Sequence, residues 1–471
     1  MVRSRYAPSP TGSMHVGNLR SALFEYLIAK NNNGTFILRI EDTDRKRYVE
    51  GSIDIIYNTL KTVGIVHDEG PDIGGPYGPY VQSERLGIYI EHAKQLIALG
   101  GAYYCFCSKE RLDGIENYDR LCLNLPEDEI TKKLDSKTPY VVRQFIPEGK
   151  TTFKDEVYGQ ITVENTELDD QILIKSDGFP TYNFANVVDD HLMEITHVVR
   201  GSEFLSSTPK YTLLYEQFGW QTPAFIHLPL FINDDGTKMA KRKGDMSFNA
   251  LLEEGYLPEA VINFIALLGW SPPDNREIFT LPELIEAFEI KNISKAPSKF
   301  DFVKLAWMNG EYIKNMPKDK FFELALPYIK EGVKRQDVNY EKIANIVQTR
   351  INFFKEIPGL LDFIDMLPEY DAELYVHKKM KTDKENSLPA LKEAKMLFEG
   401  IAEWTEENIY NKCMSLVEKL GIKNGQLFWP VRTALSGKES SPCGAAELAA
   451  LLGKEESLKR IETGIEKLSG F

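Results

Sequence analysis

The chain has 471 residues, 43% of them hydrophobic and 11% aromatic, with a formal net charge of −14. That length and apolar content predict three or four domains, and the negative charge excludes indiscriminate nucleic-acid binding, which depends on phosphate neutralisation by Lys and Arg, while leaving room for one local basic face. No apolar run approaches the roughly 18 residues of a membrane span and "MVRSRYAPSP" lacks the apolar segment of a signal peptide, so the cytoplasm, without membrane contact, is the expected location.

The opening "RYAPSPTGSMHVGN" (5–18) follows a short strand with a loop stiffened by Pro8 and Pro10 and punctuated by Gly12 and Gly17, where backbone can approach a ligand closely. Leu19, Ala22, Leu23, Tyr26 and Leu27 then recur with helical spacing, "NNNG" (31–34) ends the helix, and "TFILRI" (35–40) reads as a strand of a parallel sheet. His15 and Gly17 would lie at the helix start, where unpaired N–H groups favour an anion. A phosphate loop and a plain βα turn with incidental glycines both satisfy this spacing. Neither a P-loop nor a dinucleotide fingerprint is present; "GKT" (149–151) reads as a turn.

Further along, "EGPDIGGPYGPY" (69–80) is a loop or boundary, and a mixed region from about 84 to 184 holds Cys105, Cys107 and Cys122 together with the β-like "YVVRQFI" and "GQITVEN". "VVDDHL" (187–192) offers Asp189, Asp190 and His191, but consecutive side chains diverge and make a poor metal site. Strand character returns at 195–201 and 224–232, as if a first sheet resumes after an insertion. "DDGTKMAKRKGD" (234–245) places Lys238 and Lys241 in a glycine-flanked loop, which is either a solvated charge run or a polyphosphate clamp. Beyond about 317 the pattern is helical, with stripes at Ile343, Ile346, Val347, Ile351 and Phe354 and at Leu458, Ile461, Ile465 and Leu468. Cys413 and Cys443 read as helix-associated core residues.

"HVGN" and "KMAKR" resemble the two signatures of class I aminoacyl-tRNA synthetases, usually written HIGH and KMSKS. "LRIEDTD", "IKSDGFPTYNFANVVDDHL", "GWSP" and "WMNGEYI" narrow the resemblance to the bacterial glutamyl-tRNA synthetases, over essentially the whole chain. Asn18 stands in place of the last His of HIGH, and Ala240 and Arg242 in place of the serines of KMSKS; Lys238 and Lys241 are kept.

The resemblance implies a Rossmann-type doubly wound α/β catalytic domain (1–83 and 185–237), interrupted by an inserted acceptor-stem-binding domain (84–184). A stem-contact domain with the KMSKS-like loop (238–316) and an all-helical anticodon-binding region (317–471) would follow. It implies ATP- and Mg2+-dependent activation of L-glutamate to glutamyl-adenylate and transfer to the 3′-terminal adenosine of tRNA-Glu by a monomer, with tRNA-Gln left open as a second acceptor. His15 and Gly17 would hold ATP phosphates, and Lys238 with Lys241 would stabilise the pentavalent transition state and the departing pyrophosphate.

Glutamate carries two carboxylates and one ammonium group, so its pocket needs cationic forks and an acceptor. Arg5 and Arg200 suit the first need and Glu41 the second; the resemblance adds Ala7, Ser9, Tyr182 and Asn186. Cys105, Cys107, Tyr118 and Cys122 resemble the zinc site of some members, with Asn124 where other relatives place a His. Zinc and buried thiols both remain open here. Arg350, in "VQTRINFF", is the candidate anticodon contact. A catalytically silent tRNA-binding paralogue is the alternative function. The glutamyl-queuosine paralogue is too short to need 317–471, and a glutaminyl enzyme would carry a β-barrel there.

Overall fold

Strand β1 (Arg3–Tyr6), helix α1 (Val16–Asn31) and strand β2 (Thr35–Leu38) form a βαβ unit in which β1 and β2 pair in parallel, from Arg3↔Thr35 to Tyr6↔Leu38. The computed structural model describes residues 1–113, 115, 118–232 and 247–470, and the chain divides into two units, 1–305 and 306–471. Helix α1 departs from the expected one-sided stripe: Val16, Phe24, Glu25 and Ile28 are buried along with Leu19, Ala22, Leu23 and Leu27. The strands cover one side of it, and the later helices Pro258–Leu267 and Leu281–Ala287 cover the other. Its end follows the sequence signal, with Asn32 as C-cap and Asn33 left-handed at φ 49°.

Helices α2 (Ser52–Thr62) and α3 (Leu86–Ala98) lead into β3 (Ala102–Cys105), α4 (Lys109–Leu112), α5 (Glu127–Asp135), β4 (Val141–Gln144), β5 (Lys150–Asp155), β6 (Gly159–Glu164) and β7 (Ile172–Ile174). Strands β3, β4 and β7 make an antiparallel sheet, and β5 and β6 a hairpin. Helix α6 (Tyr182–Leu192), β8 (His197–Gly201), α7 (Thr208–Phe218) and β9 (Ala224–Leu228) return the chain to parallel topology. The second sheet has the order β6-β5-β9-β8, and the Thr196 N–H bonded to the Arg3 carbonyl ties its β8 edge to β1.

Strand β10 (Phe231–Ile232) pairs in parallel with β11 (Ser298–Lys299), around α8 (Phe248–Glu253), α9 (Pro258–Leu267) and α10 (Leu281–Ala287). Helix α11 (Phe302–Lys314) contains the boundary between the units.

The second unit continues with α12 (Lys318–Gly332), α13 (Tyr340–Val347), α14 (Ile357–Leu361), α15 (Lys384–Glu399), α16 (Glu406–Leu420), α17 (Asn424–Ser436), α18 (Ala445–Leu452) and α19 (Lys454–Ser469). The stripe running to Phe354 is not one helix. Helix α13 stops at Val347, and the next side chain, Gln348, turns inward to donate to the carbonyls of Met316 at 2.7 Å and Ile313 at 3.1 Å. Arg350 follows in an exposed turn. In α19, Ile461, Ile465 and Leu468 are buried as expected, with Arg460 buried among them; its guanidinium reaches the carbonyls of Phe363, Leu435 and Ile364 at 2.8, 2.8 and 3.0 Å. Cys413 and Cys443 are buried.

Candidate active site

Loop 7–12 is laid along the segment after β2 by backbone bonds, Glu41 N–H to the Pro8 carbonyl and Val49 N–H to the Pro10 carbonyl, both at 3.0 Å. Gly12, at φ +115°, takes a conformation few other residues adopt. His15 is the N-cap of α1, and its Nδ1 accepts the Gly17 backbone N–H at 3.0 Å. That bond places the ring proton on Nε2, a donor suited to an anion. A Cβ at residue 17 would lie 3.3 Å from His15 Nδ1, so glycine lets the ring fold over the helix end.

Lys238 and Lys241 lie outside the described residues, but both flanks of their segment are attached to α1. Before it, the Phe231 ring lies 3.9 Å from the Arg20 guanidinium, which donates to the Leu268 carbonyl at 2.9 Å and to the Pro229 carbonyl. After it, Ser247 bridges His15 in antiparallel fashion, and Phe248 N–H donates to the Met14 carbonyl at 2.9 Å. Burial pushes Arg20 down to about 9.

Arg5, Glu41 and Arg200 are all buried, and Tyr182 feels the charge of each of them. Arg5 donates through Nε to Asp190 at 2.9 Å and through Nη1 to Glu25 at 2.7 Å. Burial opposes its charge, but the two carboxylates outweigh burial and raise it above the ordinary arginine value. Arg200 gives Nη2 to Asn186 Oδ1 at 2.6 Å, while its Nε and Nη1 are buried without a hydrogen-bond partner among the described residues. The Asn186 amide in turn donates to the Tyr182 carbonyl at 2.6 Å. Glu41 Oε1 accepts from Arg39 at 2.9 Å, and Oε2 is buried without a partner among the described residues. Burial raises Glu41, against the pull of Arg39 and Arg5. Ser9 and Glu41 share a cleft of about 20 Å³ with Thr11 and Arg47, and Ala7 is half-buried on the loop above β1.

Asp189 and Asp190 serve arginines. Asp189 accepts from Arg85 Nε at 2.7 Å, Tyr89 at 2.7 Å and Gln82 at 2.9 Å; Asp190 accepts from Arg5 and, at 2.8 Å, from Arg39 Nη1. His191 points elsewhere and stacks on Trp220, centroids 3.9 Å apart. Burial pushes Asp190 up, but Arg5 and Arg39 hold it below its ordinary value. Sequence reasoning missed Glu25, which bonds Arg5; Arg39 and Gln82, which bond Glu41; and Arg85, which holds Asp189. No sequence signal marked them: Glu25 shares its helix with Arg20 and Lys30, and nothing in the sequence shows which of the three is buried against β1.

In the inserted region the three cysteines converge, with Sγ atoms within 4.8 Å of one another. Cys107 and Cys122 are 3.6 Å apart, and the Tyr118 hydroxyl is 3.1 Å from Cys105 and 4.0 Å from Cys107. Zinc–sulfur bonds of about 2.3 Å in a tetrahedron put sulfurs about 3.8 Å apart. The three-cysteine donor set therefore fits a zinc ion, which Cys105, Cys107 and Cys122 would hold, with Tyr118 beside them as the candidate fourth ligand. Burial and the neighbouring Cys122 push Cys107 up to about 11, so a cation is what would make it a thiolate.

Residues 1–307 match the family model of the class I (E and Q) tRNA synthetase catalytic domain, and residues 320–465 match an anticodon-binding domain. Fold and site together thus define the class I aminoacyl-tRNA synthetases of the glutamate and glutamine type. Among curated proteins the chain is 58% identical to the glutamate–tRNA ligase of Clostridium kluyveri, over 99% of this chain and 98% of that one, and 59% identical to that of Clostridium botulinum strain Hall, over 100% and 99%. The crystal structure of a glutamate tRNA ligase from Elizabethkingia meningosepticum in complex with its amino acid superposes with a TM-score of 0.86 at 38% identity, covering 99% of each chain; the glutamate–tRNA synthetase of Elizabethkingia anophelis gives 0.87 at 38%, with the same coverage. The chain belongs to the glutamate–tRNA ligase family, and its activity is the ATP-dependent ligation of glutamate to tRNA.

Proposed function

We propose that the pocket between β1, the segment after β2, α6 and the end of β8 binds L-glutamate, and that the N-terminus of α1 beside it binds the phosphates of ATP. One observation carries this reading: a guanidinium with two buried nitrogens and a carboxylate with one buried oxygen, on Arg200 and Glu41, lack partners among the described residues, and both act on Tyr182. Each costs folding free energy until a ligand completes it. An amino acid whose side chain ends in a carboxylate supplies an anion for Arg200 and an ammonium for Glu41. Arg5 adds a second cation, and Ala7, Ser9, Tyr182 and Asn186 shape the walls.

In the reaction, a carboxylate oxygen of glutamate attacks the α-phosphorus of ATP, the bond to the bridging oxygen breaks, and pyrophosphate leaves with its electron pair. A hydroxyl of the terminal ribose of tRNA then attacks the mixed anhydride and AMP departs. The protein contributes positioning and charge stabilisation. His15 donates to the triphosphate from Nε2, the N–H groups near Gly17 add to it, and Lys238 with Lys241 neutralise the pyrophosphate. Mg2+ enters with ATP as its counter-ion.

The remaining assignments belong to the same proposal. The catalytic domain comprises 1–83 and 185–237, segment 84–184 receives the acceptor stem, 238–316 contacts the stem, and 317–471 reads the anticodon, with Arg350 among its contacts. Zinc in the cysteine cluster stiffens the insertion and takes no part in the chemistry. The enzyme acts in the cytoplasm as a monomer on tRNA-Glu, and charging of tRNA-Gln distinguishes a relaxed from a strict anticodon reader.

The test is Arg200→Lys, which keeps a charge but removes the planar fork. Pyrophosphate exchange in the presence of tRNA should show KM for glutamate raised at least about 10-fold, with KM for ATP within about 2-fold. An unchanged KM for glutamate would remove Arg200 from the pocket.

A further inference from the structure

Glu25 lies in the middle of α1, and no step above uses it. Its side chain is 1% exposed. Oε1 accepts from Arg5 Nη1 at 2.7 Å and from the backbone N–H of Val199 at 2.7 Å, and the Glu25 carbonyl accepts from Ser4 Oγ at 2.7 Å. Ser4 and Arg5 belong to β1; Val199 belongs to β8 and is followed directly by Arg200. One carboxylate oxygen therefore links the strand that carries one pocket arginine to the strand that carries the other. Oε2 is buried without a partner among the described residues, so the carboxylate makes this link through Oε1. Farther down these strands Thr196 gives its N–H to the Arg3 carbonyl, an ordinary backbone bond, and accepts the Arg3 N–H on its hydroxyl at 2.9 Å. At Val199 the carboxylate takes that place.

We propose that Glu25 is a positioning residue for glutamate recognition, setting the separation and orientation of Arg5 and Arg200 by holding one oxygen between β1 and β8. This deepens, and rests on, the reading that the two arginines bind glutamate. The guanidinium of Arg5 is planar, and bonds from Nε to Asp190 and from Nη1 to Glu25 fix two of its three nitrogens, so Nη2 is presented in a single direction. On the other side, the Val199 bond fixes the peptide leading into Arg200, whose Nη2 is held by Asn186. A displacement of about 1 Å at either cation can cost about 10²-fold in a positioned reaction.

The charge on Glu25 is not what the arrangement requires. Burial pushes its carboxyl up to about 8, against the pull of Arg5 and the Val199 N–H, and Asp190 already provides Arg5 with an anion. A neutral acceptor of the same reach should do the same work, whereas a charged one that is a methylene shorter should not.

The experiment compares Glu25→Gln and Glu25→Asp in the full-length enzyme, measuring KM for glutamate, KM for ATP and kcat in tRNA charging, with Arg200→Lys alongside. The expected result is a KM for glutamate within about 3-fold of the parent for Gln and raised at least 10-fold for Asp, with KM for ATP within about 2-fold in both. If the Asp variant does not fold, Glu25→Asn, which is equally short and uncharged, replaces it. An Asp or Asn variant with unaltered KM for glutamate overturns the inference. So does a Gln variant as impaired as Asp, which would assign the role to charge, and so does a parallel loss toward glutamate and ATP, which would make Glu25 a general structural residue. If Arg200→Lys also leaves KM for glutamate unchanged, the pocket itself has been misread; if it responds while Glu25→Asp does not, only the role of Glu25 falls.

Discussion

The imidazole Nδ1 of His15 accepts the backbone N–H of Gly17 at 3.0 Å, so one side chain both caps α1 and carries its ring proton on the other nitrogen, Nε2. The two roles can be separated. His15→Ala should lose about 1 kcal/mol of cap stability and about 10²–10³-fold in the rate of adenylate formation. His15→Asn, a good N-cap with no second nitrogen at that reach, should restore the melting temperature and not the rate. Recovery of both in the Asn variant would reduce His15 to a cap.

The zinc proposal predicts about one zinc ion per chain in protein purified without chelators. Cys122→Ser should lower that content at least 10-fold and reduce the melting temperature, with a milder effect from Tyr118→Phe. Fully folded, fully active protein free of metal would contradict it.

Glu25 also gives a pH signature in stability. Its carboxyl is raised in the folded protein to about 8, chiefly by burial, from an ordinary value of 4.5. Between those values the folded chain binds the proton and the unfolded chain does not, so stability falls as pH rises; the contribution is complete below 4.5 and is lost as pH passes about 8. Glu25→Gln has no such proton. The melting temperature of the variant should therefore gain on the parent between pH 5 and pH 8.5, and a constant difference across that range would mean Glu25 is ionised in the folded protein.

Arg460 provides a test in the helical unit. Its guanidinium satisfies three backbone carbonyls of Phe363, Ile364 and Leu435, and burial lowers its affinity for the proton. Arg460→Met keeps much of the volume and leaves those carbonyls buried without donors. The expected cost is of order 3 kcal/mol, read in chemical denaturation, with no effect on KM for glutamate at a temperature where the variant is folded.

Local signals in the sequence were sufficient where one residue type has one structural meaning. "NNNG" ends α1 because Asn tolerates the left-handed conformation that Asn33 adopts, and the alternation of "GQITVEN" became β6. Strand β1, α1 and β2 were legible as a unit for the same reason. The stripe from Ile343 to Phe354 misled because helical spacing does not show where the helix stops, and Gln348, at its end, gives its side chain to carbonyls distant in sequence. Arg5, Glu41 and Arg200 could be named from chemistry and resemblance, but their support could not. Glu25, Arg39 and Asp190 meet only after the insertion has been traversed, and a buried carboxylate in a helix looks, in sequence, like any exposed one.

The most direct test is aminoacylation of purified tRNA-Glu and tRNA-Gln, assayed separately with labelled glutamate, ATP and Mg2+, with glutamine and aspartate as competitors. The account predicts ATP-dependent charging of tRNA-Glu with glutamate, slowed at least about 10-fold by Arg200→Lys at low glutamate and inhibited by neither competitor at equal concentration; charging of tRNA-Gln in the same assay would mark a relaxed anticodon reader. Folded protein that charges neither tRNA with glutamate would contradict the account.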